Sequence, residues 1–210
     1  MSANRKWPPR AEHLRRAIAQ EAARVMAEHG IRDFLVAKRK AAERFGVADA
    51  GMLPKNTEIE AALAEYQRLF AADAHAQSLR AQRRAAVTAM QYLAEFEPRL
   101  VGAVLSGTAT QYSDVQLHVF ADRAENVALK LMDNGVPFET GERRIKMNAD
   151  RVLAQPCLKL EIDGQTIDVV VFPIDGIRQA PVSPVDGKPM KRAGLAEVEA
   201  LLGQRLSIGT

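Results

Sequence analysis

The sequence predicts an α+β fold on three observations. Apolar residues recur at spacings of three and four through roughly the first 98 residues, the period of amphipathic helices. Beyond Pro98 the period shortens to alternation and to short apolar runs, the mark of strands. An Asp163-Gly164 pair between two such runs is a two-residue hairpin turn. The layout is an N-terminal helical region, residues 1–98, followed by a mixed β-sheet with flanking helices, residues 99–210. The second part ends in a Pro/Gly-rich loop and a last helix.

With 210 residues, 47% hydrophobic and 26% charged, the chain has the make-up of a globular protein with a sizeable core. The single cysteine, Cys157, has no internal disulfide partner, which points to a reducing compartment. The opening MSANRKWPPRAEHLRR lacks the apolar centre of a signal peptide, and no run approaches the ~20 apolar residues of a membrane span, so a cytoplasmic location is expected. The net charge of +3 is uneven: residues 1–100 carry 17 Lys/Arg against 12 Asp/Glu, and residues 101–210 carry 12 against 14. A basic helical part beside a slightly acidic part suggests phosphate-facing cations in one and carboxylates in the other, or simply solvated helix faces.

In order, Pro8 and Pro9 open the first helix, and Trp7 is expected to pack on a helix surface. Residues 11–29 are helical on Leu14, Ile18, Ala22, Val25 and Met26, and Gly30 ends the helix. Residues 31–45 follow on Ile31, Phe34, Leu35, Ala41, Ala42 and Phe45, with Lys38, Arg39 and Lys40 outside. A third helix is expected from Thr57, where Thr57 and Glu60 match a capping box, with Ile59, Leu63, Tyr66, Leu69 and Phe70 as its stripe. The fourth, residues 74–97, runs on Leu79, Ala86, Val87, Met90, Leu93 and Ala94 until Pro98.

Residues 100–105 then read as one buried strand, and 114–121 as an alternating one with Asp114, Gln116, His118 and Phe120 on one face. Residues 125–134 form a short helix, and 136–147 read as strand at most at their two ends. Residues 152–162 and 165–172 make the hairpin, 173–194 a long loop, and 195–203 the final helix.

The chemistry sits on the strands. Asp114 opens one strand, and Asp168 interrupts the apolar TIDVVVF of another, where a carboxylate needs a partner to offset its burial. Acids on adjacent strands near a glycine turn suit Mg²⁺, which takes oxygen ligands and neutralises a triphosphate. Gly107-Thr108 is the candidate turn, its amides open to a phosphate.

The order of strand, Gly-Thr turn, SDVQL, helix, and a hairpin ending TIDVVVF resembles the nucleotidyltransferase fold of the DNA polymerase beta-like superfamily, over roughly residues 100–173. The resemblance implies Asp114 and Asp168 as catalytic metal ligands, with Gly107 and Thr108 against the triphosphate of an NTP. It also implies transfer of a nucleoside monophosphate with Mg²⁺. Gln116 stands where the family carries its second acid, and the link from Gly107 to Asp114 is short for the family. Two functions stay open: a transferase with a degraded site, and a noncatalytic nucleotide-binding, nucleic-acid-binding or scaffold protein on the same fold.

Lys188, Lys191 and Arg192, on the loop after the last strand, are further candidates for phosphate contact, or a solvated basic loop. AAERFGV, residues 41–47, is similar to the first helix and turn of a helix-turn-helix, but Pro54 falls where a recognition helix would run. The basic runs 38–40 and 80–84 leave nonspecific nucleic-acid contact open. The four histidines are scattered, with no zinc spacing and no Ser/His/Asp grouping.

Overall fold

The computed structural model describes residues 9–47, 49–148 and 150–203; Trp7 lies outside them. The fold is α+β, with an N-terminal helical part and a five-stranded mixed sheet flanked by helices. Contacts divide the chain into two units at Ala72, with Thr110–Tyr112 joining the first unit. The sequence expectation set the division at 98. The difference is the long fourth helix, whose buried residues Leu79, Ala86 and Met90 share a core with the sheet strands.

The first unit holds α1 (Pro9–His29), α2 (Phe34–Arg44) and α3 (Asn56–Phe70). Its core joins Ile18, Ala22, Met26, Ala37, Ala41 and Ile59. Alanines at the contact positions let the helix backbones approach closely. Asp33 caps α2 by accepting from the Val36 N–H at 2.9 Å. Gly30 closes α1 with φ of 68°, and a Cβ there would meet the Tyr112 ring at 3.1 Å.

The third helix begins one residue earlier than expected. Glu58 reaches back to the Lys55 N–H at 2.6 Å, so Thr57 is already inside the first turn and does not cap. The buried part of the α3 stripe is Ile59 and Leu63, whereas Leu69 and Phe70 are exposed. Lys38 donates to the Pro54 carbonyl at 2.8 Å and to Asn56 Oδ1 at 2.7 Å. This cation of the 38–40 run therefore ties the loop before α3 rather than standing free for a phosphate.

The second unit opens with α4 (Ala72–Tyr92), which stops short of the expected residue 97 and passes through a 3₁₀ turn at Ala94–Phe96. Pro98 disfavours right-handed helix in the residue before it, and Glu97 is left-handed at φ 48°. The apolar run at 100–105 is not one strand. It divides into β1 (Arg99–Val101) and the short α5 (Gly102–Ser106), because Gly102 turns the chain at φ 72°. Then come β2 (Val115–Phe120), α6 (Ala124–Asp133), β3 (Phe138–Lys146), β4 (Val152–Ile162), β5 (Gln165–Phe172), a 3₁₀ turn at Ile174–Arg178, and α7 (Leu195–Gly203).

The strand order is β1-β2-β5-β4-β3. Only β2 and β5 are parallel, and they are the central pair. Their apolar sequences suit strands covered on both faces. The β4–β5 hairpin turns on Asp163 (φ 52°) and Gly164 (φ 71°), the two positive angles that a tight turn of this hand requires. Residues 136–147, half-legible as strand, form the edge strand β3; their charged sequence, FETGERRIK, hides the period because little of the strand is buried.

One face of the sheet carries Val115, Leu117, Val119, Ile167, Val169 and Val171, packed with residues of α4, α6 and α7. The other face carries Gln116, His118, Phe120, Asp168, Val170 and Phe172. The candidate site lies there.

Candidate functional site

Parallel pairing sets Gln116 directly beside Asp168, and antiparallel pairing sets Lys159 of β4 on the other side of Asp168. Strand alternation keeps these side chains on one face. Asp168 is mostly buried, with 15% of its side chain exposed, and its Oδ2 accepts from Arg143 Nη1 at 2.7 Å. Arg143 reaches it from the edge strand β3. This is the partner that a carboxylate within TIDVVVF requires. No local signal in the sequence links Arg143 to Asp168, which stand 25 positions apart.

Asp114 precedes β2 and is partly buried. It lies two residues before Gln116, a rise of roughly 7 Å along the strand from the level of Asp168. Gln116 brings its Oε1 to 3.0 Å from where a Cβ of Gly102 would stand, so residue 102 must be glycine both for this approach and for its φ of 72°. Gly102 is thus the glycine that meets the Gln116 face. The sequence signal for it was the apolar Leu100-Val101 pair leading into a glycine, masked by reading 100–105 as a single strand.

Gly107 and Thr108 stand differently from expectation. Gly107 caps the C-terminus of α5 in the left-handed region, φ 85°. The N–H groups of Gly107, Thr108 and Ala109 all donate to the Ala103 carbonyl, at 2.9, 3.0 and 3.2 Å. They close the turn on itself and do not face outward to a phosphate. The Thr108 and Ser106 hydroxyls bond each other at 2.9 Å, and the Gly107 carbonyl meets His75 Nε2 at 3.0 Å.

The loop cations part company. Lys188 and Lys191 are exposed; Lys188 sits in a tight reversal where the Ser183 N–H donates to its carbonyl at 2.7 Å. Arg192 is drawn inward. Its guanidinium lies 5.1 Å from the Phe120 ring centre and 5.5 Å from that of Phe172. Nη1 donates to the Gly176 and Ile177 carbonyls at 3.0 and 3.2 Å, and Nε to His118 Nδ1 at 3.3 Å. Ala193 then pairs with Leu100 on the free edge of β1, fastening the end of the loop.

His118 is 2% exposed. Burial, with the nearby Arg192 and Arg143 charges, pushes its pKa down to about 3. It is neutral near pH 7, as its acceptor role toward Arg192 requires.

Of the two candidate metal ligands, Asp114 and Asp168, Asp168 is already paired with Arg143, and Gln116 beside it supplies a neutral amide. The face also carries cations at Arg143 and Lys159. Comparison with models of known protein families and with curated proteins finds no match for this chain.

Proposed function

We propose that this chain is a noncatalytic, cytoplasmic nucleotide-binding protein on a nucleotidyltransferase-like domain. The observation that carries the reading is the Arg143–Asp168 pair at 2.7 Å beside Gln116. Where a transferase would need a metal ion between carboxylates, this face uses a guanidinium, which is also a bidentate phosphate binder. An NTP bound there exchanges the Asp168 contact of Arg143 for its phosphates and needs no Mg²⁺.

Thermal unfolding with each NTP, in EDTA and in Mg²⁺, tests this alongside an assay for transfer of labelled nucleoside monophosphate. Expected is an NTP-dependent rise in Tm in EDTA, lost in Arg143→Ala, with no labelled product. Transfer that requires Mg²⁺ and disappears in Asp114→Ala and Asp168→Ala would overturn it in favour of the enzymatic reading. Absence of any NTP effect would leave a scaffold role.

A further inference from the structure

The two outer strands of the sheet differ in how their free edges are treated. The edge of β1 is covered: Leu100 and Ala193 exchange backbone hydrogen bonds at 2.9 and 3.0 Å. At the opposite edge, β3 has β4 as its one strand partner among the described residues. It runs nine residues in unbroken register, with no bulge and no proline of its own, and Glu139 to Glu142 and Arg144 are exposed. A long, regular, open edge is a template for a further strand.

The outward backbone groups can be assigned. Just past β3, the Met147 N–H donates inward to the Arg151 carbonyl at 2.8 Å, while the Lys146 carbonyl turns away from β4 and accepts from the Val182 N–H at 2.8 Å. In an antiparallel ladder the N–H and C=O of one residue share a side, and that side alternates along the strand. Phe138, Thr140, Glu142 and Arg144 therefore present theirs to the open edge. Pro156, which has no N–H to give, stands opposite Glu142 in agreement. Charge on an edge strand usually repels a second one. In β3, however, Glu139 and Glu142 precede Arg143, Arg144 and Lys146, so an antiparallel copy brings acids to bases. A two-fold axis at Gly141 sets Glu139 opposite Arg143 and Phe138 opposite Arg144, twice each, with Thr140 opposite Glu142. Centring on Glu142 instead sets two glutamates together and needs the Lys146 carbonyl that Val182 already occupies. Gly141 supports the same centre. A Cβ there would meet nothing within 4 Å, so its own chain gives no steric reason for a glycine inside a strand. The close approach of a second backbone, about 4.5 Å between Cα atoms at such a pair, gives one.

We propose that β3 pairs with β3 of a second copy of this chain, antiparallel about a two-fold axis at Gly141, joining the two five-stranded sheets into one. Arg143 keeps its Asp168 contact and, with 36% of its side chain exposed and donors to spare, also meets Glu139 of the second copy. A ladder of seven residues a side is a small interface, so the dimer is reversible and depends on concentration. It stands whether or not a nucleotide binds the Asp168 face.

Sedimentation velocity of the full chain over a rising concentration series tests the pairing. Expected is a reversible shift from monomer to dimer. Thr140→Pro removes an outward N–H that β4 does not use, so the fold is spared while the ladder loses a donor twice per dimer; dimerisation should weaken about ten- to a hundredfold. Glu139→Arg sets like charges opposite each other twice and should weaken it roughly tenfold, as should Arg143→Glu. An equimolar mixture of Glu139→Arg and Arg143→Glu chains restores both opposite-charge pairs and should dimerise where neither does alone. A wild type that stays monomeric to millimolar concentration, or a dimer unmoved by both Thr140→Pro and Glu139→Arg, overturns the proposal. Folded single variants that gain nothing on mixing overturn the Gly141-centred register. Should Arg143→Glu fail to fold, Thr140→Pro and Glu139→Arg decide.

Discussion

The two faces of the β2–β5 pair come from the same twelve-odd residues and behave as opposites. On one, Leu117, Val119, Val169 and Val171 meet helix side chains and carry no polar atom that needs satisfying. On the other, polar groups pair with one another: Asp168 with Arg143, His118 with Arg192, and Arg192 with two loop carbonyls and two phenyl rings, though its Nη2 is buried without a hydrogen-bond partner. The apolar face holds the fold through area alone, which is tolerant of detail. The mixed face depends on specific pairs, so it is where charge, pH and ligands act.

The sharpest break in that comparison is on the apolar face. Leu117→Ala, at a position with no exposure, is expected to lower the unfolding free energy by about 3–5 kcal/mol in urea denaturation, with little effect on pH dependence.

On the mixed face the leading effect is acid sensitivity. His118 has a folded pKa of about 3, below the ordinary 6.5, so the unfolded chain takes up the proton first. The stability held by the neutral imidazole is complete above about pH 6.5 and is lost as pH falls from there toward 3. At pH 4.5 the loss from this group is about 2–3 kcal/mol. His118→Gln should flatten the fall of Tm between pH 6.5 and 4.5 relative to wild type; an unchanged slope would show that other groups carry it.

Next in size, Arg192→Ala removes the donor shared by His118 and the carbonyls of Gly176 and Ile177, and takes away the cation lying over the Phe120 and Phe172 rings. A loss of about 2 kcal/mol is expected, with faster proteolysis in the loop after β5. The smallest effect belongs to the Arg143–Asp168 pair. The Arg143 side chain is 36% exposed, so a double-mutant cycle through Arg143→Ala and Asp168→Asn should give a coupling below about 1 kcal/mol in stability. Its consequence should appear in nucleotide binding instead.

Much of the architecture was legible because it rests on period and punctuation. The hairpin was readable from Asp163-Gly164, α7 from its compact apolar pattern, and β2 from strict alternation. The reading faltered where a local signal was ambiguous. Residues 100–105 looked like one strand because Val, Ala and Leu suit both states, and only the left-handed turn at Gly102 divides them. The edge strand β3 has too little burial to impress a pattern on its sequence. At the site, Asp114 and Asp168 drew attention as acids at the start of and inside apolar strands. Their partners did not, because nothing local links residue 143 to 168 or 192 to 118.

The sequence by itself determined most of the helices and strands, though not α5 or the edge strand β3, and that two carboxylates would lie on the strand region. Those properties follow from spacing within a dozen residues, where turn chemistry and amphipathic period act. Tertiary structure alone decided that α4 packs with the sheet, that Gly102 meets Gln116, and that Arg143 rather than a second acid stands against Asp168. Pairing between distant strands sets these, because register brings together side chains whose separation along the chain carries no signal.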